Sequence, residues 1–192
     1  METQTALVRT DSSVELNSVT CVDIHLAVVV NPCNSECDLS FVTSSDYVKD
    51  LFENIRVADE FSTQRIENTL FVTISTKGGS IAKGTDWAKL GKALNEECAN
   101  GVVISEFTPD LLSADERDRA KLLLENASKK GKNVFFVSSG DANSIKIENS
   151  VRYITCGTVS DYKTSNMTYN SKSCQYVSFS LSGDEIKFEF KE

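Results

Sequence analysis

The chain has 192 residues, a formal net charge of −8, and 40% hydrophobic and 25% charged residues. That length fits one domain, and the apolar share is enough for a packed core. Such acidity argues against a nucleic-acid partner, because phosphate binding needs clustered cations. The basic run Lys129, Lys130 and Lys132 falls at a predicted helix C-terminus, where positive charge complements the macrodipole. No apolar stretch approaches the roughly 18 residues of a membrane span, and residues 1–5 carry no signal-peptide core. The expected location is cytoplasmic, or extracellular if the chain is cut from a longer secreted protein. Six cysteines are too few for a disulfide scaffold. Cys33 and Cys37 are read as free thiols, with a local disulfide or a zinc site as the alternatives.

In chain order, residues 5–30 read as strand material. Val14, Leu16 and Val19, then Val22, Ile24 and Leu26, alternate, and Ala27 to Val30 is continuously apolar until Asn31-Pro32 turns the chain. Ser44 or Ser45 caps a helix carrying Val48, Leu51, Phe52 and Ile55. Leu70, Val72 and Ile74 follow the period of a strand. Thr85 then caps a helix with Trp87, Leu90, Leu94 and Cys98 on one stripe, stopped by a left-handed Asn100-Gly101. Val102 to Ile104 is a buried strand, and Ser113 with Glu116 forms a capping box for a helix ending at Gly131. Val134 to Val137 and Val151 to Thr155 are further strands. Ser160 to Ser173 is a polar loop. Tyr176, Phe179 and Leu181, then Ile186, Phe188 and Phe190, form two strands around Ser182-Gly183-Asp184.

This alternation predicts an α/β fold: a mixed sheet with a parallel βαβαβ centre and C-terminal antiparallel strands. Strands near 70–75, 101–105 and 133–138 should be parallel neighbours, and 175–181 should pair antiparallel with 185–190. A single domain spans 1–192, with 1–25 an N-terminal strand segment and 26–192 the core. Trp87, in the first turn of its helix, should be buried.

Chemical groups are sparse. His25 is the only histidine, so nucleophilic or metal chemistry built on imidazole must use it. Asp23 and His25 share one strand face, where an ion would fit; the favoured reading is simply the polar face of that strand. Gly78-Gly79 sits between a strand and a helix, the place of a phosphate-cradling loop. Neither the dinucleotide fingerprint nor the Gly-Lys-Ser/Thr loop is present, so a tight turn is favoured. Glu106 and Asp141 end two neighbouring strands at the carboxyl edge, with Asn143 close behind. Open α/β sheets bind ligands at that edge. The candidate ligand-binding residues are Gly78, Gly79, Glu106, Asp141 and Asn143; no catalytic residue, metal ligand or cofactor is assigned.

The order of segments resembles the calcineurin-like metallophosphoesterases over roughly residues 26–190. The wording that carries it is Asn68 to Gly79, then Asp86-Trp87 with Leu90 and Leu94, the Val102-Val103-Ile104 strand, Val151 to Gly157, and a closing strand Ile186 to Phe190. In that family, histidine-bearing loops hold two metals. Here the corresponding loops read Ser105-Glu106-Phe107-Thr108-Pro109 and Ser138 to Asn143, and the loop near Asn31 has no histidine. A two-metal site needs several imidazoles and carboxylates. The resemblance therefore implies a truncated, metal-free relative: a pseudoenzyme acting as scaffold or binding module, as a fragment of a surface protein would, with an unidentified protein or small-molecule partner. The alternative is an enzyme or ligand-binding domain using Glu106 and Asp141 at the carboxyl edge for a cation or a sugar-like or phosphorylated ligand.

Overall fold

The structure is a computed structural model that describes residues 20–24, 27–32, 39–42, 55–57, 60–76, 80–81, 84–140, 142–157, 159–164, 167–174 and 176–191. Its strands are β1 (Thr20–Ile24), β2 (Ala27–Pro32), β3 (Leu39–Val42), β4 (Ile55–Val57), β5 (Ser62–Ile66), β6 (Thr69–Ile74), β7 (Asn100–Ser105), β8 (Asn133–Ser139), β9 (Ser144–Glu148), β10 (Val151–Cys156), β11 (Val159–Thr164), β12 (Met167–Cys174), β13 (Tyr176–Ser182) and β14 (Glu185–Lys191). The helices are α1 (Gly84–Leu94) and α2 (Ala114–Lys129), with a 3-10 turn at Pro109–Leu111 between β7 and α2. Among the described residues, no helix is long and apolar enough to cross a membrane.

A six-stranded sheet runs β5-β6-β7-β8-β10-β9, with β6, β7, β8 and β10 parallel and β5 and β9 antiparallel at its edges. A five-stranded sheet runs β14-β13-β2-β3-β4, and a three-stranded sheet runs β1-β11-β12. The parallel centre and the β13–β14 hairpin match the sequence expectation. The hairpin, however, belongs to a different sheet from that centre. The alternation within the strands explains why. Phe71, Val102, Ile104, Phe135, Val137 and Ile154 form one face of the large sheet and pack against Val177, Phe179 and Leu181 of β13. The rings of Phe41, Phe71, Phe135, Phe179 and Phe188 lie 5.5 to 6.4 Å apart across this layer. Each buried aliphatic or aromatic side chain here contributes roughly 1.5–3 kcal/mol.

The opposite face carries Leu70, Val72, Val103, Val134 and Phe136, covered by Trp87, Leu90 and Leu94 of α1 and Ala120, Leu124 and Ala127 of α2. Helices thus cover one face of the large sheet and a second sheet covers the other. Trp87 is 6% exposed, as expected, with the Arg119 guanidinium 4.9 Å from its ring.

Several expectations need correction. In the expected loop Ser160 to Ser173, residues 160–164 and 167–173 belong instead to an antiparallel pair, β11 with β12; the polar sequence offers no apolar period to read. Helix α1 begins at Gly84, so Thr85 lies inside it, and it ends at Leu94. Cys98 is therefore past the helix, its sulfur 3.0 Å from Lys132 Nζ. Asn100-Gly101 starts β7 instead of stopping α1. Gly131 does adopt the left-handed conformation at the end of α2, with φ +90°. Asn31 and Pro32 continue β2. Ile55 opens β4 and does not close a helix; the rest of that predicted helix lies outside the described residues, as do the positions before Thr20. β5 and β9 were not anticipated.

Candidate functional site at the carboxyl edge

Polar residues end the parallel strands, and they stitch one strand end to the next. At the end of β6, Thr76 is buried and its hydroxyl lies 3.1 Å from Ser105 Oγ at the end of β7. Ser105 Oγ donates to the Phe107 carbonyl at 2.9 Å, and the Phe107 N–H donates to Thr76 Oγ1 at 3.2 Å. The Glu106 carbonyl accepts from the Ser139 N–H and hydroxyl of β8. Gly140 N–H donates to the Cys156 carbonyl at 2.9 Å, and Asn143 Oδ1 accepts from the Gly157 N–H at 2.8 Å. Glu106 is half-buried at the end of β7, beside β8 as expected. Asn143 holds the end of β10 in place, which occupies its amide oxygen. Asp141, Gly78, Gly79, His25, Cys33 and Cys37 lie outside the described residues, and of Asp23 only its place in β1 is described.

A second feature at this edge was not foreseen. A cavity of about 190 Å³ lies on the helix side of β8, β10 and β9, under the Pro109–Leu111 turn, with Asp110, Lys121, Ser138, Lys146, Glu148 and Tyr153 among its lining. Strand register builds its wall. Ser138 of β8 pairs with Thr155 of β10, which pairs with Ser144 of β9. These three hydroxyl residues, all of which line the cavity, form one row across the sheet at a spacing of about 4.8 Å. The next row is Phe136, Tyr153 and Lys146.

The charges at the mouth balance. Lys121 Nζ, from α2, lies 3.3 Å from Asp110 Oδ1 and 3.4 Å from Glu148 Oε2, while Lys146 Nζ lies 2.8 Å from Glu148. The hydrogen bond from Lys146, and then the charge of Lys121, hold the Glu148 carboxyl below its ordinary range. The Tyr153 hydroxyl is buried and has no hydrogen-bond partner among the described residues. Burial, then the nearby carboxylates of Glu148, Glu125 and Asp110, push its ionisation upward, so it stays a neutral O–H donor. An unpaired buried hydroxyl costs about 1–3 kcal/mol.

The sequence held a signal for this wall. Ser144, Lys146 and Glu148 alternate with Ile145 and Ile147, and Asn149-Ser150 then turns the chain into β10 with φ of +50° and +64°. That is the geometry of a type I′ hairpin turn, without the glycine that usually announces it. Among the described residues, no group of three or more His, Cys, Asp or Glu side chains is placed to hold a metal ion. Compared with family models, curated proteins and solved structures, the chain matches none.

Proposed function

We propose that this chain is a non-catalytic binding module on a metallophosphoesterase-like α/β framework. The observation that carries this reading is how the carboxyl edge spends its polar groups. Ser105, Ser139 and Asn143 lie in the segments where the family places metal-bearing loops, and here they hydrogen-bond to neighbouring backbone. Metal-assisted phosphoryl transfer needs ions held by several imidazoles and carboxylates, and the whole sequence supplies one histidine. Oxygen ligands such as Glu106 and Asp141 suit at most a weakly held hard cation.

The test is elemental analysis of the purified protein, with an assay on an aryl phosphate in added manganese. The expected outcome is no stoichiometric transition metal and no enzymatic turnover. One or two equivalents of manganese, iron or zinc, with turnover abolished by His25→Ala, would overturn the proposal and make Asp23-x-His25 a catalytic motif.

A further inference from the structure

We infer that the cavity beneath the Pro109–Leu111 turn binds a small, neutral, polyhydroxylated molecule: a monosaccharide or a polyol of similar size. The inference rests on the binding-module reading and specifies its ligand. Three observations lead to it. The first is the row of Ser138, Thr155 and Ser144, held side by side by strand register. Each hydroxyl both donates and accepts, and so do the hydroxyls of a sugar. The second is the Tyr153 O–H, buried and without a partner among the described residues. It is a donor that a ligand oxygen would satisfy. The third is charge. Lys121 and Lys146 are offset by Asp110 and Glu148 within 3.4 Å.

That balance decides the ligand class. An anion entering here would be desolvated against a site of no net charge and would compete with two carboxylates already on the lysines. A cation would meet the same balance with the signs reversed. A neutral ligand suffers neither penalty. Size agrees: 190 Å³ equals the volume of about six waters. A hydroxylated ring can replace several such waters group for group, keeping their hydrogen bonds while burying its own apolar carbons.

The experiment is an NMR titration of ¹⁵N-labelled protein with glucose, ribose, glycerol and inositol, and separately with inorganic phosphate and glycine. At least one sugar or polyol should give saturable shifts centred on the amides of Ser138, Thr155 and Ser144, at an affinity insensitive to added salt. Tyr153→Phe should weaken that binding about tenfold, the equivalent of one buried hydrogen bond, while leaving the melting temperature unchanged or slightly raised. Thr155→Val should weaken it as well. Saturation by phosphate or glycine in place of the sugars, with salt-dependent affinity, would overturn the ligand class. No saturable response to any sugar or polyol would reduce the cavity to a water pocket and overturn the inference, leaving the non-catalytic reading standing. Metal-dependent turnover would do the reverse, removing that reading whatever the titration shows.

Discussion

The two ends of the large sheet each carry a row of polar side chains, and the rows are finished differently. At the amino ends, Thr69, Asn100 and Asn133 are neighbours in register across β6, β7 and β8. Asn100 is fully buried; its Nδ2 donates to Thr69 Oγ1 and to the Asp184 carbonyl, both at 3.0 Å, and its Oδ1 accepts from Asn133 at 3.0 Å. The turn between β5 and β6 joins in, with Asn68 donating to Asp184 and Glu67 accepting from the Gly183 N–H at 2.7 Å. At the carboxyl ends, the row of Ser138, Thr155 and Ser144 lines a cavity together with Tyr153, whose hydroxyl has no partner among the described residues. A buried polar group that is fully paired specifies structure; one left unpaired holds capacity for something else. The amino edge locks the β13–β14 hairpin, and with it the second sheet, onto the first. Room alone does not separate the edges, because an open cleft of about 720 Å³ lies beside Asn133 and Asp184. What separates them is that the amino row is hydrogen-bonded throughout, while the carboxyl edge leaves the Tyr153 hydroxyl without a partner among the described residues.

The largest expected effect tests whether the open edge is nonetheless firmly backed. Trp87 enters the core from the helix that follows the carboxyl end of β6, in the same cluster as Leu90 and Leu94. Trp87→Ala should destabilise by about 3 kcal/mol or more, from lost burial plus the cavity left behind. An unchanged denaturation midpoint would mean that the helix layer is not anchored there, and the contrast between a rigid frame and an open pocket would fail.

Asn100→Leu attacks the closed row directly. The replacement keeps most of the volume but leaves the Asp184 carbonyl and the Asn133 amide without their partner, at a cost of about 2–3 kcal/mol. Thr155→Val in the open row should change stability by no more than about 0.5 kcal/mol. Equal losses from the two variants in urea melts would erase the distinction between the edges.

How much of this was readable in the residues follows from the same physics. The parallel centre was legible because strands buried on both faces become short apolar runs, such as Val102 to Ile104 and Val134 to Val137, punctuated by helices with clear stripes. Trp87 and the Gly183 hairpin were legible for similar local reasons. The division into separate sheets was not, because it depends on which faces of distant strands meet: Phe135 against Phe179, 5.6 Å apart, is invisible to periodicity. β5 and β9 are edge strands with no buried residue; Ser62–Ile66 carries no apolar alternation, that of Ile145 and Ile147 is confined to five residues, and Glu67 or Asn149 takes the positive-φ place that a glycine would advertise. For the site, the sequence points to the carboxyl edge, where the cavity of the proposed ligand also lies. Glu106 and Asn143 were chosen for their position, yet Asn143 turns out to brace the Gly157 backbone. The cavity residues Lys121, Lys146 and Tyr153 come from three elements that only the fold brings together.

Gly140→Ala probes how tightly the open row is positioned. A Cβ at Gly140 would stand 2.3 Å from Thr155 Cγ2, inside any real contact distance. The β-branched Thr155 has few rotamers with which to retreat, so overpacking should cost about 1–2 kcal/mol. Its larger consequence should fall on the middle hydroxyl of the row, and the saturable NMR response to sugars should be lost. Retained binding in a correctly folded Gly140→Ala protein would show that the row is not the recognition element.

The smallest effect concerns a charged side chain that ties two segments together near the carboxyl edge. Glu116, in the first turn of α2, accepts from the Ser80 hydroxyl at 2.7 Å and from the Ile81 N–H at 3.1 Å, tying the segment before α1 to α2. Its other oxygen accepts from Ser113 Oγ at 2.9 Å, so the capping residues engage each other without the serine hydroxyl bonding a helix N–H. The Ser80 hydrogen bond above all, aided by those from Ser113 and Ile81, holds the Glu116 carboxyl below its usual 4.5 despite some burial. A carboxyl whose folded value is depressed stabilises the fold above its unfolded value, and that stabilisation is lost as pH falls through the folded one. Glu116→Gln should therefore cost on the order of 0.5 kcal/mol near neutral pH, a small figure because the site is largely solvated. The gap between wild type and variant should close as pH falls below 4.5. Parallel stability curves for the two proteins across that range would mean that the charge of Glu116 contributes nothing to the tie, leaving its hydrogen bonds alone to hold the two segments together.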